Sequence, residues 1–323
     1  MTPVTSIVVG ELEGSEKLAD AIALYREVFA LRRGDPAPSA RLLAALARNG
    51  GIALGAYSGG ELAGFTYGFL GRDQGGAGQA ASLYHYMELL VVRPDHRGTG
   101  VGRALMYHLR EMALACGLRT IRWVYDPLRA DNAYFYLDVL AARGRDFVPN
   151  FYGIENNGRD RGHPTDRIIV EWDASVPARR WPEPPPGLVF GDPVIDPQAD
   201  IETMLLAIPA DSDYLRLDSS HGLRRRIRAE LRALVIAGFE PVSCRRAADG
   251  VAVYRLVANT ARLVRDVPPQ VDRAPPRWST HSTVMSTPWS VESVPDGSVV
   301  GGGGTLISSG SELSGTLLVV AGR

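Results

Sequence analysis

The feature that most constrains this chain is the stretch Val92-Arg93-Pro94-Asp95-His96-Arg97-Gly98-Thr99-Gly100-Val101-Gly102, which joins a strand to a helix and lacks a side chain at three alternate positions. Upstream, Leu83 to Val92 reads as a largely buried strand with a β-branched end. Downstream, Val101, Leu105, His108, Met112 and Cys116 recur at the spacing of an amphipathic helix, and Gly117 suits its C-terminal stop. The three glycines let the backbone approach a ligand and point successive N–H groups into one concavity. The helix adds the positive end of its dipole and Arg97 a full charge, so the loop suits a phosphate or pyrophosphate.

Three other readings compete. A P-loop would end in Gly-Lys-Ser/Thr, whereas Gly102 is followed by Arg103-Ala104. A dinucleotide fingerprint needs Gly-x-Gly-x-x-Gly directly after the strand and an acid about 20 residues on. Asp126 stands at the end of the next strand, but the third glycine comes one residue early and Pro94 to Arg97 intervene. The third is a glycine-rich connection with no ligand.

Strand-like and helix-like segments alternate over residues 5–173. Ser6–Gly10 is a short β-rich run, and Glu16–Ala30 and Arg41–Arg48 are helices. Ile52–Tyr57 and Leu62–Leu70 form a hairpin turned at Ser58-Gly59-Gly60. After the loop and its helix come a strand at Thr120–Tyr125, a helix at Ala133–Ala142, and strands at Asp146–Phe151 and Arg167–Trp172. This order predicts an α/β (α+β) domain over residues 1–173, a mixed twisted sheet flanked by helices with at least one parallel pair.

Seven prolines within residues 174–198 predict a stiff linker or an extended strap. Residues 199–262 read as a smaller β-α-β-β unit. It has a strand at Met204–Ile208, a helix carrying Leu223, Ile227, Leu231 and Leu234 and stopped by Gly238, and a hairpin of Val242 with Val251–Val257. That order matches the second half of the first domain, without a residue-level repeat. Residues 263–323 shift to Pro, Ser, Thr and Gly, a composition that predicts a disordered tail.

A formal net charge of -1 argues against a whole-chain nucleic-acid footprint. No apolar run approaches the roughly 20 residues of a membrane helix, and the first residues lack the features of a signal peptide. The two cysteines, Cys116 and Cys244, offer neither a disulfide framework nor metal-ligand spacing. The expectation is a reduced, soluble, cytoplasmic protein with no metal, no nucleic acid and no membrane among its partners. Arg224, Arg225, Arg226, Arg228 and Arg232 make one helix basic, read as a solvated face or as a contact for RNA or membrane.

Arg97-x-x-Gly100-x-Gly102, preceded by Val92-x-Pro94, resembles the coenzyme A loop of the GNAT superfamily of acyl-CoA-dependent N-acyltransferases, and the order of elements over 5–173 is that of the whole GNAT domain. A narrower resemblance, to a bacterial subgroup of predicted acetyltransferases and amino-acid N-succinyltransferases, rests on Asp126-Pro127-Leu128, Asn132-Ala133, Pro149-Asn150-Phe151-Tyr152-Gly153, Asp166-Arg167 and, downstream, Ile208-Pro209-Ala210-Asp211 and Ala237-Gly238-Phe239. The resemblance implies acetyl-CoA or succinyl-CoA as co-substrate and a small-molecule amine, an amino acid among the candidates, as acceptor. It leaves a homodimer open.

In GNAT enzymes the strand before the loop and the strand after its helix splay apart, the pantetheine arm enters the gap, and a strand N–H polarises the thioester. The resemblance therefore assigns the strand edge to Leu90, Val91 and Val92, and the pyrophosphate cradle to Arg97, Gly98, Thr99, Gly100, Val101, Gly102 and Arg103. Direct attack by an amine needs a free nucleophile, a stabilised oxyanion and a protonated leaving thiolate. Glu88, sharing strand parity with Leu90 and Val92, is the candidate base, at a position where the subgroup usually has His; the plainer reading is an acid paired to a nearby Arg or Tyr. His85, on the opposite face, reads as structural. Tyr136 is the candidate thiolate acid, one register from the usual tyrosine position, which falls on Leu137.

Asn132 fits the asparagine that contacts the pantetheine arm, or a plain N-cap. Asn150 and Tyr152, expected on the next strand, line the acceptor pocket in this reading, and Arg129, Arg143 or Arg167 could fork onto a carboxylate. The rival functions are an acyl-CoA-binding regulator without turnover and a protein-lysine acyltransferase, which needs an open acceptor groove.

Overall fold

The computed structural model describes residues 6–73, 82–154, 162–174, 180–199, 201–211, 222–248 and 250–259. Strands β1 (Ile7–Glu11), β2 (Ile52–Ser58), β3 (Glu61–Arg72), β4 (Leu83–Val92), β5 (Thr120–Tyr125), β6 (Arg143–Val148) and β7 (Arg167–Asp173) build one seven-stranded sheet in the order β1-β2-β3-β4-β5-β7-β6. β4 and β5 are parallel, and the other neighbours pair antiparallel. Helices α1 (Gly14–Val28) and α2 (Ala40–Arg48) cover one face, closing Leu18, Leu24 and Leu43 over Phe65, Tyr67 and Val91.

Helix α3 (Val101–Ala115) covers the other face, beside Leu54, Met87, Ile121 and Trp123. Its buried side chains are Val101, Leu105, Met106, Leu109 and Ala113. The stripe expected through His108, Met112 and Cys116 is thus rotated by one residue, because the buried row advances by four from Leu105 rather than by three. His108 instead sits by Glu111, at 4.0 Å, and Cys116 is exposed.

After β5 the chain makes a single α-helical turn, α4 (Ala130–Tyr134), and then widens into a π-turn over Phe135–Val139. There the Leu140 N–H donates to the Phe135 carbonyl, five residues back, at 3.1 Å. The expected continuous helix over 133–142 therefore starts three residues earlier and is interrupted. β6 likewise begins before its expected place and ends at Val148, so Asn150 and Tyr152 lie on the turn after the strand and not within it.

A second sheet has the order β10-β11-β9-β8, from β8 (Pro193–Ile195), β9 (Thr203–Pro209), β10 (Phe239–Ala248) and β11 (Val251–Ala258), with α5 (Gly222–Ile236) between β9 and β10. β8 falls in the stretch expected as linker; its proline is tolerated because this is an edge strand. The topology repeats. In β5-α4-β6-β7 and again in β9-α5-β10-β11, the last strand inserts antiparallel between the first and the third.

One apolar cluster runs from Leu105 and Trp123 through Leu137 to Ile208, Leu231 and Leu256, so the two sheets share a core. Polar contacts fix the seam. Asp138, inside the π-turn, accepts from Ser243 Oγ and the Cys244 N–H, each at 2.8 Å, and from Arg245 Nε at 3.0 Å. Tyr254 donates to the Pro127 carbonyl at 2.7 Å, and its hydroxyl lies 3.1 Å from that of Tyr125. A Cβ on Gly144 would stand 2.7 Å from the Pro241 ring, so glycine is needed for β6 to approach β10. Among the described residues no helix is long and apolar enough to cross a membrane. The tail expectation for 263–323 lies outside the described residues.

Candidate active site

β4 and β5 pair only at His85–Ile121 and Tyr86–Arg122. Beyond those two positions β4 runs on to Val92 and β5 to Tyr125 without pairing, which leaves two facing edges whose backbone groups are not used by the ladder. The paired end is fastened by side chains. Arg122 reaches Asp73 at 2.6 Å and Glu171 at 2.8 Å, Arg145 joins the same two carboxylates at 3.4 and 2.7 Å, and the Arg122 guanidinium lies 4.1 Å over the Tyr84 ring. The slot is therefore closed at one end and open at the other.

The open part of β4 carries a bulge. Gly68 pairs with Met87 and Tyr67 with Leu89, so Glu88 is an extra residue that faces no partner on β3. A bulge breaks the two-residue alternation and re-aims side chains. Met87 before it and Leu90 and Val92 after it all pack on the α3 side, whereas Leu89 and Val91 pack on the α1–α2 side. Across the bulge, alternation no longer fixes which side Glu88 takes. Its charge acts on Tyr67, which belongs to the α1–α2 side, and on Tyr86.

Glu88 forms no ion pair among the described residues, and burial pushes its carboxyl above the usual range. Burial, then the charge of Glu88, pushes the Tyr67 hydroxyl up. Tyr86 is pushed up by burial and by Tyr152, to which it is hydrogen-bonded, and by Glu88. Glu88, Tyr67, Tyr86 and Tyr152 thus form one electrostatic group. Tyr67 and Tyr86 were not legible as site residues, because only the register of β3 against β4 brings them to Glu88. His85 is fully buried, its ring nitrogens have no partner among the described residues, and desolvation lowers its pKa to about 4.

The glycine loop continues from β4. A short 3₁₀ turn over Pro94–His96 leads to Arg97, which is exposed and donates from Nε to the Val92 carbonyl at 3.4 Å. Thr99 Oγ1 donates to the His96 carbonyl at 2.7 Å. Gly98 and Gly100 have φ of 74° and 98°, a conformation that disfavours any side chain, and Gly100 caps α3 without a side-chain bond. The cap leaves the first N–H groups of α3 without side-chain partners at the mouth of the slot. Gly102 differs. A Cβ there would make only ordinary contacts, 3.5 Å from Phe135 and 3.6 Å from Val92, so protein packing alone does not require glycine. Val101 is buried and Arg103 exposed, with Leu90, Val91 and Val92 on the strand behind.

Tyr136 occupies the π-turn. Its ring is buried against Trp123, Tyr125 and Phe135 at 5.1, 5.6 and 5.4 Å, in the cluster on the α3 side. Burial raises its pKa, so the phenol keeps its proton at neutral pH. Asn132 is exposed in α4 and is not the N-cap, which is Arg129. Asn150, at φ 51°, knits the turn: its N–H donates to Asp166 Oδ1 at 2.9 Å, and its side chain accepts from the Thr165 N–H at 3.4 Å. Tyr152 is half exposed, with its N–H on Thr165 Oγ1 at 2.8 Å and its ring 5.3 Å from the Arg167 guanidinium.

The model of the Acetyltransferase (GNAT) family matches residues 18–137. Among solved structures, the chain is similar to the ribosomal-protein-S18-alanine N-acetyltransferase from Escherichia coli, at 19% identity over 55% of this chain and 99% of that one, with a TM-score of 0.40. It is also similar to an N-acetyltransferase from Staphylococcus aureus Mu50, at 17% identity over 53% and 100% of the two chains, with a TM-score of 0.41. Likeness at this level says nothing of which amine is acylated. No curated protein matches the sequence.

Proposed function

Residues 18–137 make this chain a GNAT-family acetyltransferase, and from that premise we propose that it passes an acetyl or succinyl group from acyl-CoA to the amine of a small molecule, an amino acid among the candidates, by direct attack on the thioester. The observation that carries this reading is the end of β4–β5 pairing at Tyr86–Arg122, which leaves β4 open from Met87 to Val92 up to a loop whose glycines take left-handed φ values before α3. Pyrophosphate on Arg97 to Arg103 would lead an extended pantetheine arm into the slot along Leu90 to Val92, with Asn132 near its path.

In this reading the acceptor amine comes from the α1–α2 side, bordered by Tyr152 and Asn150, and Glu88 accepts its proton, directly or through water. A carboxyl whose pKa burial has raised is a stronger base than an ordinary one. A β4 N–H stabilises the developing oxyanion. Tyr136, which holds its proton, donates to the departing thiolate.

The test is release of free thiol from acetyl-CoA and succinyl-CoA with a panel of L-amino acids, polyamines and lysine peptides, alongside calorimetry of coenzyme A binding. Turnover with a small amine supports the proposal. Tight coenzyme A binding without release from any donor–amine pair would make the protein a regulator, and turnover confined to peptides would make it a protein acyltransferase.

A further inference from the structure

We propose that a cavity between α5 and the β7 end of the first sheet binds an anionic group of the acceptor, a carboxylate or a phosphate, so that the second sheet's helix sets acceptor specificity. The proposal rests on the acyl-transfer reading above. The cavity has a volume of about 330 Å³, and its charged lining includes Arg167, Arg224, Arg225, Arg228, Asp126 and Asp166. Four arginines face two aspartates, and both aspartates already have partners. Asp166 holds Arg228 Nε at 2.6 Å and the Asn150 N–H; Asp126 accepts from the Leu128 N–H at 2.9 Å.

Arg224 and Arg225, on the first turns of α5, have no hydrogen-bond or ion-pair partner among the described residues, and Arg224 is half buried. Arg225 is exposed at the cavity's rim, so one half-buried and one open guanidinium line the same hollow, and their planar forks match a carboxylate or phosphate. The larger hollow elsewhere, about 440 Å³ beside α4 and β10, lacks this excess: its Arg245 and Arg246 are paired with Glu183 and Asp131 at 2.6 and 3.1 Å. The basic face of α5 is thus partly turned into a cavity rather than wholly to solvent.

The cavity is also connected to the proposed base. Arg167 lines it and stacks over Tyr152 at 5.3 Å, Tyr152 is hydrogen-bonded to Tyr86, and Tyr86 feels the charge of Glu88. An acceptor with its anionic group among the arginines would extend its amine along Tyr152 and Tyr86 toward Glu88.

The experiment compares the full-length protein with Arg224→Gln/Arg225→Gln and with the double Lys variant. Calorimetry of the coenzyme A-saturated protein uses succinate and inorganic phosphate as probes. Rates with acetyl-CoA are measured for L-amino acids, their amides and a phosphorylated amine. Saturable anion binding that weakens at least tenfold in the Gln variant and returns in part with Lys, at unchanged coenzyme A affinity, is the expected result. Preference for acid over amide should fall in parallel, through KM rather than kcat; a preference for the phosphorylated amine would name phosphate as the group. Anion binding without turnover of any amine would retain the site and discard acyl transfer. Turnover that ignores the acid–amide difference and both variants would retain acyl transfer and discard the site. A Gln variant that loses only its succinyl-CoA over acetyl-CoA preference would place the donor's carboxylate there, overturning the acceptor assignment.

Discussion

The molecule uses one topology twice, and the two copies differ in what lies beside their first strand. In β9-α5-β10-β11, β9 pairs with β11 in unbroken register from Thr203–Val257 to Pro209–Val251, has on its other side only the three-residue edge strand β8, and is followed by α5, an uninterrupted helix of 15 residues. In β5-α4-β6-β7, β5 pairs with β7 over its length but leaves β4 after two positions, and the helix is a single turn followed by a π-turn. Regular pairing consumes backbone groups and yields stability; interrupted pairing spares them for a ligand. In the proposed reading the second copy stabilises and the first, beside β4, reacts.

The sharpest way to break that contrast is to damage the stabilising copy. Leu231 is fully buried in α5, so Leu231→Ala should lower unfolding free energy by ~2–5 kcal/mol. Denaturant titration checks this, and coenzyme A affinity of the folded fraction should not change. A selective loss of coenzyme A binding would mean that the second copy shapes the slot.

The next largest effect belongs to the first copy's neighbour. Glu88→Gln should cut kcat by ~10²-fold or more and leave coenzyme A affinity nearly unaltered. Wild-type activity should fall as pH drops through the raised pKa of Glu88, because the base must be ionised, and that acidic limb should vanish in the variant. Equal rates across pH, with chemistry rate-limiting, would leave Glu88 a structural bulge residue.

Gly100→Val tests the loop. At φ 98° the strain is in the backbone, since the nearest atom to an added Cβ, Ile7 Cδ1, is 3.8 Å away. The fold should survive, as judged by circular dichroism, while coenzyme A affinity falls at least tenfold, ~1.4 kcal/mol.

The smallest effect is a pH slope. His85, with a pKa of about 4 against an ordinary 6.5, binds its proton more weakly folded than unfolded, so stability is lost as pH falls from 6.5 toward 4. The loss at pH 6 is about 0.8 kcal/mol for an isolated site of this kind. His85→Leu should flatten that part of the stability curve. The second sheet's buried charges, Arg255 and Asp196, instead pair with each other at 2.9 Å.

Much of the fold was legible because strand and helix periods and turn glycines report local structure. Leu83–Val92 and Thr120–Tyr125 appear as expected, and the element order alone suggested the repeat. What sequence reasoning missed are single-residue insertions within elements. The bulge at Glu88 breaks the alternation of β4, and the π-turn at Phe135–Val139 shifts register beside Tyr136. Neither changes composition or period over a window, and each is fixed by distant partners, β3 in one case and Ser243 to Arg245 in the other. The strand given to Asn150 and Tyr152 failed similarly, because Asp166 and Thr165 hold that segment as a turn.

The shared seam also bears on how the chain is made. Synthesis proceeds from the N-terminus, so the first sheet is complete, through Asp173, while β9, β10 and β11 are still untranslated. At about 5–20 residues per second the ribosome needs several seconds to reach Ala258. During that interval Tyr125 and Leu137 lack their cover and the Asp138 carboxylate lacks the Cys244 amide and Arg245. The nascent chain then presents an apolar face of the kind that holding chaperones grip, and the first sheet gains this cover as β10 and β11 emerge.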